Sequence, residues 1–152
     1  MKLQLTKLEL KAFVIAAALM LPLPGMCADQ ARPYSEGPVT VITSIKILPG
    51  GFDAYMDFVA TTRKALMNEY KKAGLITDWH VYSAQARSPQ EPDVLLSITY
   101  KNWAALDGLA DRSEAIDRKV VGSQDKATAE GVSRGKIREV LGEETIQELV
   151  FK

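Results

Sequence analysis

The chain has very few of the residues that carry metal and redox chemistry. Its 152 residues include one cysteine, Cys27, and one histidine, His80. A single cysteine builds no internal disulfide framework. A zinc site takes several Cys or His ligands, so no metal is expected. Charge of one sign is also missing, with 19 basic residues against 19 acidic ones. Binding phosphates needs a concentrated basic face, so nucleic acid is not an expected partner. No G-x-S-x-G turn frames a nucleophile, and no phosphate loop or dinucleotide fingerprint follows a strand. Gly131-Val132-Ser133-Arg134-Gly135 is glycine-spaced but sits inside a helical region. No cofactor is expected.

A long hydrophobic run is absent too. The apolar stretch from Ala12 to about Leu23 is broken by Pro22 and Pro24, whereas a permanent membrane span needs roughly 20 apolar residues. With Lys2, Lys7 and Lys11 before it and Met26-Cys27-Ala28 after it, the stretch reads as a secretory signal over residues 1–28, cut after Ala28. A lipoprotein signal at Cys27 is the competitor, although Met26 and Pro24 stand where a small and an apolar residue belong. Cleavage removes Lys2, Lys7, Lys11 and Glu9, taking the basic and acidic counts from 19 and 19 to 16 and 18, a formal charge of −2 with His80 neutral. The mature protein is expected to be periplasmic or secreted, without cysteine, and stabilised by packing and a partner subunit.

Residues 29–38 hold Pro33, Gly37 and Pro38 and show no period, so they read as a flexible lead-in to one domain over 39–152. Val39–Ile47 alternates as a strand and stops at Pro49-Gly50-Gly51. Phe52, Tyr55, Met56, Val59, Leu66, Tyr70 and Ala73 recur at helical spacing, and Gly74 supplies a left-handed stop. Asp57, Arg63, Lys64 and Glu69 read as that helix's solvated face. Ile76–Ala84 and Val94–Tyr100 read as a strand pair, and Asn102 as the cap of a short helix Trp103–Leu109. Ile116, Val120, Val132, Ile137, Val140 and Leu141 fit a helical stripe, with a bend or break near Gly122 or Gly131. Thr145–Phe151 is the last strand.

The order predicts an α+β fold: a ferredoxin-like β-α-β-β-α-β unit with helices on one face of a four-stranded antiparallel sheet. Leu95-Leu96 and Leu149-Val150-Phe151 put apolar residues on both sheet faces. Something must cover the second face.

A resemblance answers that need. Ile47-Leu48-Pro49-Gly50 running into an aromatic-rich helix (Phe52, Tyr55, Phe58), a strand pair, and then Tyr100-Lys101-Asn102-Trp103-Ala104-Ala105-Leu106 resemble the dimeric α/β barrel superfamily. Within it the chain looks like the antibiotic-biosynthesis monooxygenase-like and NIPSNAP-like small domains. The resemblance implies a homodimer whose two sheets pack face to face, with the C-terminal strand reaching the partner. It implies no single activity. In haem-degrading members a histidine late in the helical region binds iron; here that region reads Ala110, Asp111, Arg112, which speaks against haem.

Asp78, His80 and Tyr82 alternate on one strand face. An imidazole titrating near neutrality with a phenol beside it could remove a proton, which makes His80 and Tyr82 the catalytic candidates. The structural alternative is a partly buried histidine satisfied by a neighbour. Three functions follow: a homodimer holding a small apolar or aromatic molecule between helices and sheet, lined by Tyr55, His80, Tyr82, Tyr100 and Trp103; a cofactor-independent monooxygenase; or a structural dimer without a ligand.

Overall fold

Strand β1 (Tyr34–Ile47) runs through the middle of the sheet because its alternating β-branched side chains can be covered from the helix side. The computed structural model describes residues 32–152; the expected signal segment and residues 29–31 lie outside them. The chain continues through α1 (Phe52–Phe58), a π-helical turn (Val59–Arg63) and α2 (Lys64–Lys72). Next come β2 (Asp78–Ser83), β3 (Val94–Tyr100) and a 3-10 turn (Trp103–Leu106). Two helices, α3 (Leu109–Val120) and α4 (Gln124–Arg134), lead into β4 (Arg138–Phe151). The strands lie in the order β2-β3-β1-β4, all neighbours antiparallel. This is the ferredoxin-like arrangement that the element order predicts. No described helix is long and apolar enough to cross a membrane.

Register decides which side chains meet the helices. Val41, Thr43 and Ile45 stand opposite Ile98, Leu96 and Val94, and Trp79 and Val81 stand opposite Ile98 and Leu96. Ile45, Val94 and Leu96 bury against Tyr55 and Val59. Tyr100 buries with Met67, Leu75 and Ile76. Because neighbours along a strand point to opposite faces, Thr40, Ile42, Asp78, His80, Tyr82, Leu95 and Ser97 occupy the face without helices.

Local signals account for the joints. Gly74, at φ +70, closes α2 while the Leu75 amide donates to the Tyr70 carbonyl at 3.0 Å. The Asn102 carboxamide oxygen accepts from the Ala105 amide at 3.1 Å, although the turn it caps is shorter than expected and Leu109 already belongs to α3. The break falls at Gly122, at φ +102, and Ser123 restarts the helix by accepting from the Lys126 amide at 3.2 Å. Gly131 stays inside α4, which buries none of its residues.

Two strand boundaries differ from expectation. Strand β1 starts at Tyr34, within the stretch expected to be a flexible lead-in, because Tyr34, Ser35 and Glu36 pair with Phe151, Val150 and Leu149. The register shift between Glu36 and Val39 accommodates Gly37-Pro38 as an irregularity, where a missing N–H costs no regular ladder bond. Strand β4 starts at Arg138, so Val140 and Leu141 belong to a strand and not to a helical stripe. Ser44 faces Gly142 while Ile45 faces Val140. Leu141 is the extra residue of a bulge, and that insertion breaks the period-two pattern by which the strand would be seen.

Asp93 ties the β2–β3 connection to the end of β1. Its carboxylate accepts from the Ile47 amide at 2.8 Å and from Lys46 Nζ at 3.0 Å. These two bonds, the amide first, hold its pKa below the ordinary 3.8. A depressed folded pKa gives stability that is present above the unfolded value and lost as pH falls through the folded one. Asp93→Asn is therefore expected to lower stability by about 1 kcal/mol near neutral pH. Urea midpoints of the two proteins should converge as pH drops below 3.8, and a gap that persisted there would contradict the assignment.

Candidate ligand-binding cleft

A cleft of ≈ 590 Å³ opens between the first helical segment and the α3–α4 pair. No strand residue lines it, so it lies between helices and not, as expected, between helices and sheet. Phe58, Leu66, Ala110, Val121 and Ala127 supply its apolar wall, while Arg63, Arg134, Asp117, Ser113 and Glu130 bring polar groups to it.

Helical spacing explains how Arg63 comes to be there. Position 63 falls four residues after Val59 and three before Leu66, on the helix's inward stripe. It ends the π-helical turn Val59–Arg63 and lines the cleft half-buried, not on the solvated face expected for it. Its Nε is buried without a hydrogen-bond partner, and no ion pair holds it among the described residues. Burial, by stripping water from the charge, lowers its pKa, with Arg138 adding repulsion and Tyr55 opposing the shift.

Arg134 reaches the same cleft from the last turn of α4. Its guanidinium lies 4.2 Å from the centroid of the Phe58 ring, and Glu130 is its nearest counter-charge at 3.7 Å. Arg138, from the start of β4, sits 5.6 Å over the Tyr55 ring. The Nε atoms of Arg134 and Arg138 are also buried and unpartnered. Burial raises the Tyr55 pKa, and Arg138, Arg63 and Arg134 each pull it back. Tyr55 is the neighbour common to the three arginines.

The carboxylates of the cleft are engaged. Glu114 pairs with Arg118. Asp117 accepts from the Tyr70 hydroxyl and from Ser113 Oγ at 3.0 Å. Burial and then the Asp117 bond push the Tyr70 pKa up to about 12, so the phenol keeps its proton and donates. Among the described residues, no group of three or more His, Cys, Asp or Glu side chains converges on one point.

None of the five expected lining residues borders the cleft. Tyr55 and Tyr100 are buried beneath the helices in separate clusters. Trp103 is 48% exposed and donates from Nε1 to Gln147 Oε1 at 3.0 Å. His80 and Tyr82 do come together, ring centroids 5.8 Å apart, with Asp78 Oδ2 3.5 Å from His80 Nε2. That trio faces away from the helices, and the His80 side chain is 52% exposed. The residues that line the cleft carried one readable signal: the apolar stripe is interrupted at Thr62-Arg63, where its spacing calls for an apolar residue. Arg134 carried none, since the glycines beside it suggested only a weak helix.

No family model matches the chain, and no curated protein matches it. Among solved structures it is similar to HapK from Hahella chejuensis, with 17% identity, 72% of this chain and 91% of that one covered, and a TM-score of 0.48. It is also similar to a dimeric ferredoxin-like protein from an uncultured marine organism, with 14% identity, 76% and 96% coverage, and a TM-score of 0.48.

Proposed function

We propose that this protein is an exported homodimer that holds a small apolar or aromatic molecule in the cleft between its helices. The observation that carries this reading is the ≈ 590 Å³ cleft itself, which falls within the roughly 300–1,000 Å³ typical of small-molecule sites. Its mixture of apolar wall and a few polar groups fits such a ligand, and it weighs against a purely structural dimer. A monooxygenase would need its base beside the substrate. His80 and Tyr82 lie on the opposite sheet face, so binding is the better supported reading.

Export is supported by the basic, apolar and small-residue sequence of residues 1–28. A second copy is supported by β4, where Ile146, Leu149, Val150 and Phe151 are all exposed, Phe151 by 73%. Together with the uncovered sheet face and the free β4 edge, they form a surface that a twofold partner would cover. Native mass spectrometry of protein taken from its own periplasm should report two chains and a small adduct lost on denaturation. Ala127→Trp, which fills the cleft, should remove the adduct and leave the dimer. A monomer without an adduct would overturn the proposal.

A further inference from the structure

We propose that the ligand of this cleft carries a carboxylate on an aromatic frame, received by the guanidinium groups of Arg63 and Arg134. The inference rests on reading the cleft as a ligand site and adds the charge and shape of what enters it.

A buried guanidinium without a counter-ion is unfavourable, because its lost hydration is not replaced. Arg63 is partly in that position: the residue is half-buried, its Nε is out of water and unpartnered, and no ion pair holds it among the described residues. The acids around it do not relieve it: Glu114 is committed to Arg118, Glu130 lies beside Arg134, and Asp117 is held by Tyr70 and Ser113. An incoming anion would supply what these do not. The planar fork of an arginine matches a carboxylate through two parallel N–H···O bonds. Asp117, a fixed negative charge on the same wall, disfavours a dianion such as a phosphate monoester. The aromatic frame follows from Phe58, which borders the cleft and carries the Arg134 guanidinium over its ring at 4.2 Å, so an aromatic surface and a cation stand side by side there.

Calorimetry with naphthoate and with its uncharged, equally shaped amide separates the two readings. Naphthoate is expected to bind at least about tenfold more tightly than naphthamide, as loss of a charge-assisted pair predicts. Arg63→Met should bring naphthoate most of the way down to the affinity of naphthamide, Arg134 keeping the remainder, and leave naphthamide unchanged, with Arg63→Lys between Arg63→Met and the parent protein because the charge stays and the fork is lost. The thermal midpoint of Arg63→Met should hold or rise, since the substitution removes a half-buried charge that has no counter-ion; a purely structural arginine would show a fall. Equal affinities for naphthoate and naphthamide would overturn the carboxylate and leave the cleft as a neutral aromatic site. Binding of neither would overturn the ligand site and, with it, the carboxylate.

Discussion

Replacing Tyr55 with alanine is expected to lower the stability of the fold by about 3–5 kcal/mol, the usual cost of truncating a fully buried aromatic side chain. Tyr55 is 1% exposed and packs with Ile45, Val59, Val94 and Leu96, the contact by which α1 sits on β1 and β3. Its ring also lies 6.0 Å from Phe58 and beneath the Arg138 guanidinium. Alanine would open a cavity and leave that cation beside a void. A domain of this size has about 5–15 kcal/mol in total, so much of the margin would go. Tyr55→Phe keeps the ring and should cost far less. Urea unfolding of the three proteins orders them; a loss below about 1 kcal/mol for alanine would contradict the burial described.

Gly51→Ala is expected to cost about 3 kcal/mol, a value at the upper end for overpacking a close contact. The reason is space, not backbone angle, since Gly51 has φ −90 and ψ −6. A Cβ at this position would stand 2.5 Å from the Ile137 carbonyl oxygen and 2.9 Å from Ile137 Cβ. That oxygen accepts from the Leu48 amide at 2.9 Å, the bond that fastens the end of β1 to the segment entering β4. Gly50 is the matched control. It has φ +76, and a Cβ added there would meet nothing within 4 Å, so alanine incurs only the left-handed backbone penalty of about 1 kcal/mol. Comparing the two denaturation midpoints tests the contact, and a Gly50 variant weaker than the Gly51 variant would refute it.

The ladder of β3 was readable to the residue because its run of apolar and β-branched side chains from Val94 to Tyr100 is interrupted only by Ser97. Gly74, Asn102 and Gly122 marked their joints because each performs a local task that few other residues can. The features that escaped notice depend on distant partners. Tyr34–Glu36 is a strand only because β4 returns alongside it, and the bulge at Leu141 hides the first half of β4. The cleft escaped for a different reason: its walls come from segments far apart in the sequence, Phe58 to Leu66 on one side and Ala110 to Arg134 on the other. Arg63, a charged residue on an apolar stripe, was its one visible trace. His80 and Trp103 stand out as rare residues and Tyr82 by its alternation with His80, but neither rarity nor alternation says which face a strand or turn will present.

Helix α4 buries none of its own residues, and its inner side borders the cleft through Gln124, Ala127, Glu130 and Arg134. A helix of eleven residues is marginal in water by itself. A ligand that filled the cleft, as proposed above, would complete the support of that helix, and its affinity would then be a sum of contact energy and local folding. Ligand association and helix ordering would be a single equilibrium, with a heat capacity of binding more negative than the ligand's own buried area would give.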